Sequence, residues 1–413
     1  MTTVSAAFVL VCVAISANNG DGISYTLSEG PKESDLFVLQ EQSSGAAPGA
    51  AANRPAAAPR PNDAAANNPR RPPAGGNPYA RLARVPNMFG DSLPPTSNLF
   101  ILSCDPNRPS SVVTEVLAGG GSRYIPIGEN NKPLPMDRVY FLYNNFNNAV
   151  TTTNVVSGTA FDSNLQRYTM GYEKTFFDQQ ASLEIRFPLT SSIDTQFNNF
   201  NSSTGTVGNI TLVSKWLLSK TESTAVATGL GLGLPTGSSF QGTSGSTNFQ
   251  LTNQSVYLIP YIGVSHNLNE NWFTTAYAQV EIAANGDPFK VEGAGTLGKL
   301  NAASFARFDV AMGRWLLRDM HYRYLNGVAL VTEFHYITAL NNGDVLSSNG
   351  MIGLCSVSLG ATDNRVDYLN NTLGVHFQLT DLANLRVAGI FPMRKDPDRQ
   401  FDSELQVSFN RMF

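Results

Sequence analysis

A chain of 413 residues with 28 Lys and Arg against 32 Asp and Glu, a formal net charge of -4, has no electrostatic footprint for nucleic acid. Only 15% of its residues are charged, well below the roughly 25% of an ordinary soluble domain, and Asn, Thr, Ser, Gly and Phe fill the difference. Such a composition suits a barrel with a wet interior or an extracellular sheet protein. It excludes a disulfide scaffold, because Cys12, Cys104 and Cys355 are too few to staple this length. Cys104 and Cys355 remain a candidate pair in an oxidising compartment, and the lack of nearby Cys or His argues against a zinc site.

The apolar run AAFVLVCVAI from Ala6 to Ile15 is too short to cross a bilayer as a helix. It reads as the core of a secretory signal over residues 1–16, with small Ala14 and Ser16 before a cut at Ala17. No Lys or Arg precedes the run, so the start lies upstream or the signal is atypical; a buried N-terminal strand is the alternative. Lipidation of Cys12 is disfavoured by bulky Val11. Residues 17–78 read as mostly disordered, and the Ala/Pro/Asn-rich stretch at 41–78 is a linker in which repeated prolines cut short every candidate helix. Simple tethering accounts for it, and its dispersed Arg54, Arg60, Arg70 and Arg71 do not establish binding to a wall polymer or protein. Residues 79–136 hold short apolar pieces, SNLFILSCD and SVVTEVLAGG, between Pro and Gly turns, and are expected to form a periplasmic approach or a plug.

From residue 137 to 413 the periodicity changes to that of strands. VYFLYNN (139–145), LQRYTMGYEKTF (165–176) and ASLEIRFPL (181–189) open the series, and FFDQQ between the last two predicts a hairpin. In ASLEIRFPL, Leu183, Ile185 and Phe187 alternate with Glu184 and Arg186, the period of two expected between apolar and wet surroundings. NITLVSKWLLS (209–219), TAVATGLGLGLP (224–235), VYLIPYIGVS (256–265) and WFTTAYAQVEI (272–282) follow. FARFDVAMGRWLL (305–317), GVALVTEFHYI (327–337), MIGLCSVSL (351–359), TLGVHFQLT (372–380), LRVAGIFP (385–392) and ELQVSFNRMF (404–413) complete about thirteen segments. Single-chain bacterial barrels usually have an even number, so an all-β antiparallel transmembrane barrel of 12–14 strands is predicted, with one segment in excess. Connections at 190–208, 236–254 and 284–302 are long and polar while others are turn-like, as expected of a barrel with its long loops outside.

In TAVATGLGLGLP, Val226, Leu230, Leu232 and Leu234 take one face and Gly229, Gly231 and Gly233 the other, where small residues permit close backbone approach. There is no GxxxxGK[ST], so this is not a phosphate loop. Glu184, Arg186, Arg307, Asp309, Glu333 and His335 lie on the polar parity of their strands. They are candidates to line a permeation path, or to stabilise the barrel as an internal network. Trp216, Trp272, Trp315, Tyr336 and Phe413 lie near strand ends and suit interfacial girdles, though a sandwich core would use the same residue types. His266, His321, His335 and His376 form no HExxH, and no GxSxG is present, so no enzyme, metal site or cofactor is expected.

On the last strand Leu405, Val407, Phe409 and Phe413 share a parity interrupted by Arg411, opposite Gln406, Ser408 and Asn410. ELQVSFNRMF resembles the last-strand signature of bacterial outer-membrane barrels, which implies recognition of Phe409 and Phe413 by the barrel-assembly machinery. Residues 207–235 and 305–337, including MGRWLLRDMHYRYLNGVALVTEFHY, resemble the outer-membrane family of phenol meta-degradation pathway transporters, while the Pro-rich tether and Asn-rich loops resemble proteins of planctomycete-type bacteria. The resemblance implies a bacterial outer membrane with lipid and assembly-machinery partners; phenol is not carried over. A closed barrel of 12–14 strands would enclose a lumen wide enough for water if it is not plugged, so passive passage of small solutes is expected. A structural or adhesive surface protein anchored by a barrel is the alternative. Association of protomers stays open.

Overall fold

The computed structural model describes residues 80–90, 93–95, 97–102, 111–117, 119–197, 200–318, 325–348, 356–360 and 365–413. The signal segment, the linker, the three cysteines and His321 lie outside the described residues.

Twelve strands form the wall: β1 Arg138–Asn154, β2 Thr159–Phe176, β3 Ala181–Thr190, β4 Thr211–Lys220, β5 Thr224–Gly233, β6 Tyr257–Asn267, β7 Trp272–Ala283, β8 Phe305–Leu317, β9 Gly327–Ala339, β10 Asp367–Thr380, β11 Ala383–Pro392 and β12 Ser403–Met412. Each pairs antiparallel with its neighbours in sequence. The ring closes because β1 pairs with both β2 and β12, with Phe141 opposite Met170 on one side and Phe409 on the other. Closure leaves no open edge, and each unpaired backbone group in hydrocarbon would cost several kcal/mol.

Alternation decides which side chains meet which solvent. Leu183, Phe187, Val310, Leu330 and Phe409 project outward and are exposed, whereas Glu184, Arg186, Asp309, Glu333 and Asn410 on the same strands are buried. An apolar outer face around a polar interior is the pattern of a membrane-spanning barrel, and a closed barrel of this kind is an outer-membrane protein. None of the described helices is long and apolar enough to cross a membrane.

The excess segment is MIGLCSVSL. Its described part, Ser356–Gly360, leaves the wall and pairs with Ser97–Leu102 and Val345–Ser347 in a sheet that Ser111–Val116 joins to the end of β1. Loops that follow β3, β5 and β7 form a second sheet of six short strands, Asp194–Phe197, Phe200–Ser203, Phe240–Ser244, Thr247–Leu251, Asp287–Val291 and Gly295–Leu300. The two sheets share an apolar core, with Leu99, Ile101, Val112, Val357 and Leu359 from the first meeting Phe200, Phe240, Phe249, Leu251 and Phe289 from the second. The long connections are therefore a folded sandwich at one end of the barrel. The other end carries tight turns such as Phe177–Gln180, where Phe177, Asp178 and Gln179 all adopt positive φ.

Candidate functional site

Residues 80–90 and 93–95 run beside residues 119–136 inside the ring. Ala80–Ala83 is a single helical turn, Leu93 O accepts from Gln400 Nε2 in the β11–β12 loop at 3.3 Å, and the chain then enters the sandwich as the strands Ser97–Leu102 and Ser111–Val116. It returns past Gly120, whose N–H donates to Ser238 O, and reaches the tight-turn end where Arg138 Nη1 donates to Asn130 O at 2.6 Å. Met88 and Asn131 bridge the two limbs, and Lys132 Nζ ties them again by donating to Ala83 O at 2.7 Å and Val85 O at 3.1 Å. Where the return limb joins β1, Asp137 accepts from the Thr175 N–H at 2.7 Å and hydroxyl at 2.8 Å. Slight burial alone would raise its pKa, but these bonds and the Lys174 ammonium hold it below the usual carboxylate range.

Glu184, Arg186, Arg307, Asp309, Glu333 and His335 are all buried, on the parity opposite the exposed apolar residues of their strands. They fall into separate stations. On β3, Arg186 pairs with Glu184 at 3.1 Å and donates to Pro126 O at 2.8 Å, while Arg138 and Tyr140 also bond Glu184 at 3.2 and 2.7 Å. On β8, Arg307 pairs with Glu281 of β7 at 3.0 Å, and Glu281 also accepts the Tyr124 hydroxyl. On β9, Glu333 accepts the Phe89 and Gly90 N–H groups at 2.7 and 2.9 Å.

His335 lies between Asp309 Oδ1, 2.8 Å from Nδ1, and Thr372 Oγ1, 3.0 Å from Nε2. The order hydroxyl, imidazole, carboxylate has the look of a nucleophile relay. All three side chains are sealed from solvent, and Glu333 stands 3.4 Å from the same Nε2, so no substrate can reach the hydroxyl. The group is an internal hydrogen-bond network. Among the described residues no cluster of three or more His, Cys, Asp or Glu is placed to hold a metal ion.

The wall supplies more charge than the six expected positions. Arg138 and Glu173 meet at 2.8 Å, Lys215 bridges Glu173 and Asn131, Arg167 pairs with Glu129 at 2.6 Å, and Arg386 donates to Asn87 O and Asn130 Oδ1. The same parity rule reaches these residues, since Arg167 and Glu173 alternate with Tyr168, Met170 and Tyr172. Nothing periodic marks Tyr124, Glu129, Asn130 and Asn131, because the luminal segment has irregular backbone.

Gly231 and Gly233 face inward and receive the segment: a Cβ at Gly231 would come within 2.7 Å of Ile127 Cδ1, and one at Gly233 within 2.9 Å of Tyr124 Cβ. Phe89 lies over Gly374 of β10, and the Arg386 guanidinium lies 4.0 Å from the Phe89 ring centroid.

The aromatic positions divide. Trp216, Trp272 and Phe413 lie at the tight-turn end; Trp216 and Phe413 are exposed, Phe177 stacks on Trp216, and Tyr172 stacks on Phe413. Tyr336 faces outward nearer the other end and donates to Asp367 at 3.2 Å. Trp315 departs from the girdle expectation: it is buried in the luminal core, edge-on to His376 and beside Phe273. It lies on the inward parity of β8, between outward Arg314 and Leu316, and position near a strand end could not reveal that.

No protein-family profile matches the chain, and no curated protein matches it. Among solved structures, an outer membrane channel from Pseudomonas putida F1 aligns over 71% of this chain and 98% of its own, with 11% identity and a TM-score of 0.41. The β domain of the Bordetella autotransporter BrkA aligns over 67% and 100%, with 10% identity and a TM-score of 0.41. The NanC porin aligns over 67% and 98%, with 7% identity and a TM-score of 0.36. These values are too low to carry a fold assignment, so the barrel is read from its own strand pairing.

Proposed function

We propose that this outer-membrane barrel is a channel for passive passage of small solutes, and that residues 80–95 and 119–136 are a plug whose displacement opens it. One observation carries the reading: polar side chains of the inner wall hold the luminal segment by hydrogen bonds to its backbone and amides, with the bridge between its limbs the one ladder it has inside among the described residues. Water can replace such bonds when the segment shifts, which it could not do for a continuous strand ladder buried in an apolar core. The vacated lumen would be lined by Glu184, Arg186, Arg307, Asp309, Glu333 and His335 among others, which would set charge preference. Passage would then need no cofactor or energy source.

The proposal extends to the finer likeness to phenol meta-degradation pathway transporters, carried by sequence patterns at 207–235 and 305–337, and to Phe409 and Phe413 as the assembly signal. The solute is unspecified. A second reading, a surface protein anchored by its barrel, is favoured by the sandwich into which the tip of the luminal segment is built.

The test locks the segment. A Cβ at Gly233 of β5 would lie 2.9 Å from Tyr124 Cβ, close to the Cβ separation of a disulfide, so a cysteine at each position, with the native cysteines replaced by Ser, gives a reducible tether. In planar bilayers the reduced protein is expected to show discrete conductance steps and the oxidised protein to show none. Steps that are indifferent to the tether would overturn the plug. Silence in both forms, and in a chain lacking the luminal limbs, would overturn the channel and leave the surface-protein reading.

A further inference from the structure

The six-stranded sheet of the sandwich has two unlike faces. Its inner face supplies Phe200, Phe240, Phe249 and Phe289 to the core, and its outer face borders a hollow of about 710 Å³. Strand register arranges the outer side chains in two parallel rows that cross the strands. Ser203, Gln241, Gln250 and Lys290 stand opposite one another on successive strands in one row. Gln196, Asn201, Thr243 and Asn248 do so in the other. Side chains within a row therefore repeat at the strand spacing of about 4.8 Å, and the rows lie roughly 7 Å apart, two residues along a strand.

An ordinary solvated sheet face would carry mostly Lys and Glu, and apart from Lys290 these two rows are built from amides and hydroxyls. Asn248 donates to Glu292, but among the described residues no side-chain hydrogen bond engages Gln196, Asn201, Gln241 or Gln250. Each amide presents donors and an acceptor at once, the combination that meets a hydroxyl group in either role. We propose that this hollow binds a neutral, extended polysaccharide lying across the strands, with successive sugars meeting successive pairs of side chains. The repeat of the rows is close to the advance per sugar of a β-linked glucan.

The charge pattern selects this occupant. Lys290 is the one cation lining the hollow among the described residues, and Asp194 and Glu292 line it too, so an anionic polymer meets no complementary field. A bound peptide would need apolar pockets for alternate side chains, and the phenylalanines here point into the core. The sheet is made from the long loops and is separate from the wall strands that carry the apolar outer face. Glycan binding is independent of whether the lumen conducts.

Affinity electrophoresis of the full chain in detergent, with hydroxyethylcellulose in the gel, tests the proposal. Retardation that persists at high salt is expected, and Gln241→Ala with Gln250→Ala should weaken it about tenfold, the loss of roughly two net hydrogen bonds. Both residues lie on the outer face, so the variant should keep its heat-dependent gel mobility, which checks that the barrel is intact. No retardation by hydroxyethylcellulose, equal retardation of variant and parent, or retardation only by heparin and abolished by salt would each overturn it.

Discussion

The barrel wall and the luminal segment it encloses solve the same problem in opposite ways. Wall strands satisfy their backbone groups with one another, through ladders such as the ten-residue register between β12 and β1 from Ser403↔Asn147 to Met412↔Arg138. The luminal segment has almost no ladder, and wall side chains take its place: Arg186 on Pro126 O, Arg386 on Asn87 O, Glu333 on the Phe89 and Gly90 N–H groups, Gln279 on the Ile127 N–H. One region is thus stabilised by pairing that lipid cannot disturb. The other is held by side-chain hydrogen bonds that water could replace, together with apolar packing of Leu82, Val85, Met88, Phe89 and Ile127 against the wall, and the lack of a ladder makes the segment, rather than the wall, the part that can move.

Breaking the comparison from the inside should give the largest effect. Glu333→Ala removes the acceptor of two buried N–H groups and a neighbour of His335, and is expected to destabilise the docked segment by about 3–5 kcal/mol. Hydrogen exchange should rise at Phe89 and Gly90 while the amides of β9 stay protected; equal loss across β9 would mean that wall and segment unfold together. Arg138→Met strips one cation from Glu173 and Glu184 and frees Asn130 O, for a loss of about 3 kcal/mol. Here limited proteolysis near residue 130 is the readout, and unchanged resistance would assign the docking to other contacts.

An outward change should act on the wall alone. Val310→Arg puts a charge on the lipid face of β8, with an expected cost of about 2–3 kcal/mol read as a lower urea midpoint for the barrel in vesicles. No change there would place Val310 outside the hydrocarbon belt. Gly233→Ala sharpens the contrast most gently: its Cβ would press on Tyr124 Cβ at 2.9 Å and Arg123 O at 3.2 Å in the return limb and on Tyr257 Cβ of β6 at 3.2 Å, for about 1–2 kcal/mol, with the loosening greatest in the return limb, which has no ladder to hold it. Gly242→Ala, in a loop strand at ordinary φ with no atom nearer than 3.5 Å to the new Cβ, would control for lost backbone freedom.

Much of the wall was legible because a strand between lipid and polar interior must alternate, and alternation is written in adjacent residues. Leu183, Ile185 and Phe187 against Glu184 and Arg186 predicted the two faces before any contact was known. The same rule could not tell a wall strand from a loop strand, and Ser356–Gly360 alternates equally well while packing Val357 and Leu359 into the sandwich. Nor did it give Trp315 its side, because an aromatic residue at a strand end fits an interfacial belt and a core alike. The luminal limbs carry no period, and their partners lie as far away in sequence as Asn130 from Asn410.

By itself, then, the sequence determined that this chain is a sheet with one apolar and one polar face, because face and parity are local properties of strands. Tertiary structure decided the number of wall strands, the filling of the lumen, and the stacking of three loops into a second sheet. Each of these depends on which distant segments meet, and closure of the ring creates an interior whose charges must find partners that no local pattern names.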